Sequence, residues 1–424
     1  MTKFTRFFPS ILRNSLAVAM LGAFAMLPLQ SAAAQTFTLL HAFSGGPDGA
    51  APFTGTLDAA GNFYGTTATG GTHQQNCLYG CGIVFKLSQK NGAWVLSTLY
   101  NFTGGSDGMD PEDGVVFGRD GSLYGTTVYG GSAGDGTVFK LQPSATFCRS
   151  VLCPWNETIV HTFAGGSDGT NPSSGVSFDS AGNFYGTTQM GGAGTYCGQA
   201  GCGAVYKFAP ANGGWNESIV YAFNGGADGA YPVSGVVMNA AGDFFGTCSQ
   251  CPIHGSVYEL TPSGSGYSKS FLYRFTGGTD GYDPNGVILD SAGNVYGATS
   301  FGGSGGGGTV YDLVPQGGDW IFGVLYALTA QNPHDYGPLA PLTMDAAGNL
   351  YGTSFSGGQY GAGSVFKLSP AGGGWNYTSL HDFTGGDDGG GPVSSVVLDA
   401  QGNVYGTTRF DGFYGNGVAF KITQ

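Results

Sequence analysis

A short motif recurs seven times along this 424-residue chain and limits the folds open to it. Each copy resembles YGTT, and its successive glycines are 60, 61, 60, 51, 55 and 54 residues apart. Repeats of this length are typical of proteins in which each unit buries its apolar face only against its neighbours. The seven glycines are Gly65, Gly125, Gly186, Gly246, Gly297, Gly352 and Gly406.

Every copy contains four strand-like segments. The second copy reads GVVF at 114–117, then a turn at Asp120 and Gly121, then SLYGTTVYGG and GTVFKL. The fourth segment starts at a tryptophan in five copies, namely Trp94, Trp155, Trp215, Trp320 and Trp375. Four strands per unit predict one propeller blade, so the chain is expected to form an all-β, seven-bladed β-propeller with four strands per blade. The repeated tryptophan is interpreted as packing, and the glycine inside the second strand as a close approach of another backbone.

The two ends of the repeat region predict how the ring closes. The segment TFTLLHAF at 36–43 matches a fourth strand without the three before it, and the chain ends on GVAFKI, a third strand. If strands run outward from the axis in chain order, the N-terminal strand supplies the missing outer strand of the last blade. Closure would remove exposed strand edges. A linear solenoid is the alternative.

Residues 1–34 have the pattern of a secretory signal peptide. Lys3, Arg6 and Arg13 precede an apolar run at 16–27, and alanines occupy positions 32–34. We predict cleavage after Ala34, with 35–424 forming the propeller. The run is shorter than the roughly 20 residues that span a membrane. We therefore expect no transmembrane segment after signal removal and a secreted or periplasmic location.

The charge balance restricts the partners. The formal charge is −13, and removal of the three signal-peptide cations makes it −16. Such a protein is a poor match for nucleic acid, whose phosphates attract clustered lysine and arginine. We expect a monomer that meets a neutral ligand such as a glycan, a cation, or an envelope protein.

The eight cysteines form four close pairs, which predicts disulfides that staple loops in an exported protein. The competing interpretation is metal binding or redox chemistry, because CSQC at 248–251 has the spacing of a zinc half-site. No second CxxC is present to complete such a site. The pairs are Cys77 with Cys81, Cys148 with Cys153, Cys197 with Cys202, and Cys248 with Cys251.

The pattern GNxYGTT, then Gly-Gly, then GTV[FY]KL resembles the GloVer tandem repeat, a bacterial secreted repeat, over nearly all of 36–424. The resemblance implies a repeat fold but no established activity. Members of that family often carry a C-terminal anchor, and none is apparent here. The blades are also similar to Kelch and NHL repeats, which implies the same four-strand arrangement.

An aspartate recurs where one unit joins the next, in the pattern FxGGxDGxxP. A rim of carboxylates could bind a cation such as Ca²⁺ or a basic partner. Asp-Gly turn chemistry is the alternative, because aspartate accepts local backbone hydrogen bonds there. No other cofactor and no metal site is predicted from the histidine spacing. The predicted rim residues are Asp48, Asp107, Asp168, Asp228, Asp280 and Asp388.

Candidates for catalysis lie where copies differ. The sixth junction breaks the pattern and brings His334 and Asp335 together, and the second junction carries Glu112. A carboxylate and a histidine in a propeller mouth could serve acid–base chemistry, whereas simple divergence of repeats is the alternative. The sequence favours a non-enzymatic exported scaffold whose loops bind a glycan, a cation or a protein. The alternative is an extracytoplasmic hydrolase or lyase acting on polysaccharide or a small lactone.

Overall fold

The protein is described by a computed structural model that covers residues 35–73, 75–143, 155–194, 196–249, 251, 253–330 and 337–424. Gln35–Gln424 forms one compact unit. The described residues contain 28 strands and three 3-10 helices, Gly166–Asp168, Gly198–Ala200 and Gly226–Asp228. Within that range no helix is long and apolar enough to cross a membrane.

The strands, in chain order, are β1 Thr36–Ala42, β2 Ala50–Leu57, β3 Phe63–Thr69, β4 Ile83–Lys90, β5 Ala93–Asn101, β6 Val116–Phe117, β7 Leu123–Thr127, β8 Thr137–Gln142, β9 Asn156–Thr162, β10 Ser177–Phe178, β11 Phe184–Thr188, β12 Ala204–Ala211, β13 Gly214–Ala222, β14 Val237–Met238, β15 Phe244–Cys248, β16 Ser256–Ser263, β17 Gly266–Arg274, β18 Tyr282–Leu289, β19 Val295–Phe301, β20 Gly306–Gln316, β21 Asp319–Thr329, β22 Thr343–Met344, β23 Leu350–Ser354, β24 Ser364–Ala371, β25 Gly374–Asp382, β26 Val397–Leu398, β27 Val404–Thr408 and β28 Val418–Thr423.

The strands form seven antiparallel sheets of four, and each sheet is one blade. Blades 1 to 6 are β2–β5, β6–β9, β10–β13, β14–β17, β18–β21 and β22–β25. Blade 7 has the order β26, β27, β28, β1. The innermost strands surround a central mouth lined by residues of all seven blades. The predicted seven-bladed propeller is confirmed.

The N-terminal strand closes the ring as predicted. β1 pairs antiparallel with β28, with Thr36 opposite Thr423 and Leu39 opposite Phe420. Near the axis, the Thr407 hydroxyl also donates to the Pro52 carbonyl at 3.1 Å and so ties blade 7 to blade 1. The solenoid alternative is therefore wrong.

The hydrophobic core is divided among the seams between blades. One cluster joins Phe43, which directly follows β1, with Phe63 and Phe85 of blade 1, and six more occupy the other seams. The tryptophans take part, since Trp215 lies edge-on to Tyr124 of the preceding blade at 6.0 Å between ring centroids. Their interpretation as packing residues is confirmed, because such pairs bury large rings in favourable geometry.

The tyrosine of YGTT is fixed by the preceding turn. In blade 3, Asp179 accepts hydrogen bonds from the backbone N–H groups of Ala181 and Asn183, at 2.8 and 2.9 Å. The Tyr185 hydroxyl donates to the same carboxylate at 2.9 Å. This network makes the hairpin turn and the next strand one local unit. It recurs at Asp58, Asp290, Asp345 and Asp399.

The first threonine of YGTT links neighbouring blades. The Thr126 hydroxyl donates to the Ser174 carbonyl at 3.0 Å, and the Thr187 hydroxyl donates to the Ser234 carbonyl at 3.0 Å. A buried carbonyl left without a donor is costly, so each bond stabilises a seam near the axis.

The recurrent glycine of YGTT differs from its prediction. A Cβ at Gly125 would lie 2.6 Å from Cζ of Phe139, which sits opposite it on β8. In all seven blades the residue opposite this glycine is a buried phenylalanine or tyrosine. The expectation of a backbone neighbour is therefore corrected in six blades, where an atom of this aromatic side chain is nearest to such a Cβ. At Gly65 the prediction is confirmed, because the Phe53 carbonyl oxygen is nearest, at 2.5 Å.

Candidate functional site

One end of the ring carries both the junctions between blades and the loops between second and third strands. We call this end the loop face. Because adjacent strands are antiparallel, these two kinds of connection emerge together. They are also bonded to each other, since the N–H groups of Gly71 and Gly131 donate to the carbonyls of Gly46 and Gly105 at 2.8 and 2.9 Å.

Disulfides staple three loops of this face. Bonds join Cys77 to Cys81, Cys197 to Cys202, and Cys248 to Cys251, so CSQC at 248–251 is a disulfide. The first lies against its junction, where a Cβ at Gly104 would be 2.6 Å from the Cys77 sulfur. Three predicted pairs are confirmed, and Cys148 with Cys153 lies outside the described residues. Such bonds are typical of oxidising compartments.

The six junction aspartates all have partners within their own loops. Asp280 accepts from the N–H and hydroxyl of Thr276, at 2.7 and 2.6 Å, and from the Gly278 N–H at 3.1 Å. Burial opposes ionisation of Asp280, but these hydrogen bonds hold its pKa below the ordinary value. This geometry accounts for the recurrence of the residue through turn chemistry. Its role as a ligand rim stays a prediction.

A histidine or tyrosine seven residues before each aspartate supplies a further hydrogen bond. His381 Nε2 lies 2.9 Å from Asp388, and the Tyr221 hydroxyl donates to Asp228 at 2.7 Å. Histidine and tyrosine both carry a hydrogen-bond donor at the end of an aromatic side chain, within reach of the aspartate. This explains why the two residues interchange at this position. The same pairing holds for His41, Tyr100, His161 and Tyr273.

A third side chain completes this group across each seam. It comes from the outer strand of the next blade, two residues after the tryptophan position. We call the three residues a seam set. In the set of Tyr221 and Asp228, the third residue is Lys269, whose Nζ lies 2.8 Å from the carboxylate. Rings occupy the position in blades 5, 6 and 7, as where Phe37 stacks on His381 at 4.1 Å between centroids, and Leu96 occupies it in blade 1.

Two seam sets place a second carboxylate beside the junction aspartate. Glu217 joins His161 and Asp168, and its Oε2 lies 3.3 Å from His161 Nε2. Glu157 joins Tyr100 and Asp107. Burial, followed by the nearby charge of Asp107, raises the pKa of Glu157 to about 7.

We expect Glu157→Gln to stabilise the protein above pH 7 and to have little effect at pH 5. The native state holds the Glu157 proton more tightly than the unfolded chain, so native stability falls as pH rises from about 4.5 through 7. The glutamine amide of the variant does not ionise, so this loss of stability does not occur in it. We expect a gain in the free energy of unfolding on the order of 1 kcal/mol, after allowance for the partial exposure of Glu157. Melting temperatures at pH 5 and 8 measure it. Asp319→Asn on exposed β21 is the control, and an equal gain there would contradict the explanation.

The central mouth is a narrow cavity of about 150 Å³. Small hydroxyl side chains such as Ser174, Ser234 and Ser394 line it together with Glu112 and Asp113. Asp113 accepts hydrogen bonds from the N–H groups of Gly114 and Gly175, while burial raises its pKa. None of the described histidines is among the lining residues.

Charged residues of two blades meet beside this mouth. Arg409 lies 3.4 Å from the Glu112 carboxylate. Burial and the nearby charge of Glu112 raise the pKa of Asp110 to about 6, against the opposing charge of Arg409. Of the catalytic candidates, Glu112 is thus placed at the mouth. His334 and Asp335 lie outside the described residues.

The loop face also carries the seven most exposed aromatic side chains of the described residues. All come from loops between second and third strands. Phe413 and Tyr414 lie 4.8 Å apart in edge-to-face geometry and border an open depression of about 590 Å³. Asp48, Asp387 and Ser44 line the same depression. The seven are Tyr79, Tyr129, Tyr196, Tyr360, Phe410, Phe413 and Tyr414.

A sequence profile of the Gloeobacter/Verrucomicrobia repeat matches residues 24–250, 195–339 and 322–424. The chain belongs to this family. The resemblance to the GloVer repeat is therefore confirmed. No curated protein sequence matches the chain.

Two solved structures are similar to this Gloeobacter/Verrucomicrobia repeat protein. A protein of Thermus thermophilus assigned as an oxidoreductase (glucose dehydrogenase) is 13% identical, with a TM-score of 0.44 over 92% of this chain and 100% of that one. The extracellular domain of a protein of B. thetaiotaomicron assigned as a one-component system is 10% identical. Its TM-score is 0.50, over 88% of this chain and 40% of that one. At this identity the likeness to the second structure concerns the fold alone.

Sequence reasoning missed the exposed aromatic residues and the seam sets. The aromatic residues stand in loops that differ between copies, so comparison of those loops would have found them. The third residue of each seam set comes from another unit, and only the structure brings it to its partners.

Proposed function

We propose that this family member is an exported, non-enzymatic binding propeller that holds a neutral glycan on its loop face. The observation that carries the proposal is the depression bordered by Phe413 and Tyr414. Its volume lies within the range of about 300 to 1,000 Å³ usual for ligand sites, whereas the central mouth is smaller. The disulfides support an exported location.

Chemistry favours a sugar in the depression. The negative face of an aromatic ring attracts the polarised C–H groups of a pyranose, and an exposed ring pair offers two such faces. The carboxylates of Asp48 and Asp387 can accept hydrogen bonds from hydroxyl groups. Tyrosine-rich surfaces combine apolar contact area with hydrogen bonding at low entropic cost.

The charge of the loops favours a neutral ligand over an anionic one. Among the described residues of the loops between second and third strands, Arg409 is the one arginine and no lysine occurs. Arg409 is engaged with Glu112. An acidic polysaccharide would therefore be repelled by a negatively charged protein whose loops offer few positive charges to offset the repulsion.

We expect the purified protein to bind a neutral glucan, mannan or xylan without cleaving it. The double variant Phe413→Ala/Tyr414→Ala should weaken that binding at least about tenfold, because the rings that hold the sugar are removed. Calorimetric titration measures the affinity, with polygalacturonate as the anionic comparison. Ile321→Ala/Val324→Ala on exposed β21 is the matched control. Unchanged affinity in the aromatic variant would contradict the proposal.

The second candidate is a propeller hydrolase or lyase, favoured by Asp110, Glu112 and Arg409 beside the mouth. A carboxylic acid with a pKa near 6 can donate a proton at neutral pH. Release of reducing ends from the same polysaccharides, lost in Asp110→Asn and retained in Phe413→Ala/Tyr414→Ala, would establish the enzyme and overturn the scaffold.

A further inference from the structure

The seam between blades 2 and 3 differs from the other described seams in its donor atoms. His161 on β9, Asp168 in the junction and Glu217 on β13 each offer one ligand atom, and all three atoms lie within 4.8 Å of one another. Each side chain is about one-fifth exposed, so solvent reaches the group. The three residues come from three separate segments and two blades.

The distances fit a small tetrahedral cation. His161 Nε2 lies 3.1 Å from Asp168 Oδ1 and 3.3 Å from Glu217 Oε2. A tetrahedral zinc ion with bonds of about 2.0 to 2.1 Å has ligands about 3.3 Å apart. One imidazole nitrogen with two carboxylate oxygens leaves a fourth position for water.

The charges at this seam also call for a cation. Two carboxylates face each other, and among the described ion pairs their one basic partner is the His161 imidazole. Glu217 Oε1 is buried and has no hydrogen-bond partner.

In the next seam, between blades 3 and 4, a lysine side chain supplies a positive charge at the position of Glu217. There Lys269 replaces Glu217, Tyr221 replaces His161, and the lysine Nζ lies 2.8 Å from Asp228. The lysine side chain is only 4% exposed, so its charge occupies the space between the strands. Where Glu217 stands, that space lacks the ammonium group and gains a carboxylate and an imidazole.

We propose that His161, Asp168 and Glu217 form a binding site for a divalent transition metal of the zinc class, which bridges blades 2 and 3. Imidazole with carboxylate donors suits zinc, whereas calcium prefers six to eight oxygen ligands. The bound ion neutralises the carboxylate pair and joins β9 to β13. Binding to the native state alone then raises the melting temperature.

Calorimetric titration of the untagged, chelator-treated protein with Zn²⁺ at pH 7.5 tests the site. We expect one equivalent to bind with micromolar or tighter affinity and to raise the melting temperature, while Ca²⁺ does neither. His161→Tyr and Glu217→Lys, which install the residues of the neighbouring seam, should each weaken zinc binding at least about 30-fold. Both variants should fold, because the neighbouring seam already accommodates a tyrosine and a lysine at these positions. Glu217→Gln is a further variant that changes the side chain at this position less.

His41→Tyr and His381→Tyr are the matched controls. Each removes a histidine that contacts a junction aspartate without a neighbouring glutamate, so zinc affinity should persist. Absence of binding at millimolar Zn²⁺ would overturn the proposal. Zinc affinity in His161→Tyr and Glu217→Lys equal to that of the parent protein would also overturn the proposal. Binding of Ca²⁺ as tight as that of Zn²⁺ would do the same.

Discussion

A chain that begins at Ser44 instead of Gln35 is expected to lose the closed propeller. Residues 35–43 supply the outer strand of blade 7, and they bury Leu40 and Phe43 in the seam clusters. Their removal exposes the edge of β28 and opens apolar surface between blades 7 and 1. An exposed edge strand pairs readily with other chains, so we expect association or loss of the cooperative unfolding transition.

Single substitutions in the segment 36–43 separate closure from a nonspecific effect of truncation. Phe43→Ala should cost about 3 to 5 kcal/mol, because Phe43 is fully buried against Phe85. Leu39→Ala, at an exposed position of the same segment, should change stability by less than about 0.5 kcal/mol. Denaturant unfolding and light scattering measure both effects. A truncated chain that stays monomeric with the parent transition would show that β1 is dispensable.

The architecture was predictable because each unit repeats the same local chemistry. Turn aspartates, strand alternation and the tyrosine of YGTT act within one unit, and the number of copies gives the number of blades. The incomplete units at positions 36–43 and 417–422 then indicated closure, which β1 and β28 confirm. Local hydrogen bonds such as Tyr185 to Asp179 explain why these signals were strong.

The candidate sites were less predictable because they depend on contacts between units. The junction aspartates were identified, yet nothing in the spacing indicated that Glu217 would face Asp168 or that Lys269 would approach Asp228. These partners are 49 and 41 residues apart in sequence. Glu112 was singled out as a departure from the repeat, but its pairing with Arg409 required the ring to bring blades 1, 2 and 7 together.

The recurrent glycine shows how a correct observation led to the wrong neighbour in six of the seven blades. A glycine inside a strand indicates that a side chain would not fit, but it does not say what occupies the space. The register places an aromatic residue of the third strand directly opposite, as with Gly125 and Phe139. The ring of Phe139 is fully buried between blades, so it cannot move aside.

Gly125→Ala is therefore expected to destabilise the propeller by about 3 kcal/mol, the upper part of the range for overpacked cores. The added Cβ would lie 2.6 Å from Cζ of Phe139 and 3.2 Å from Val115 Cγ1, well inside contact distance. Gly214→Ala is the control, since a Cβ there meets nothing within 4 Å. Denaturant unfolding of both variants gives the difference in the free energy of unfolding.

A double-mutant cycle tests whether contact with the Phe139 ring causes the loss of stability in Gly125→Ala. Phe139→Leu alone leaves a cavity and should destabilise the protein, but in the Gly125→Ala background the smaller side chain gives the new methyl group room. We expect the double variant to be more stable than the sum of the two losses by at least about 1 kcal/mol. Strict additivity would mean that the alanine clashes with the backbone instead. In that case the original expectation for this glycine would hold, and the aromatic residue opposite it in all seven blades would need another explanation.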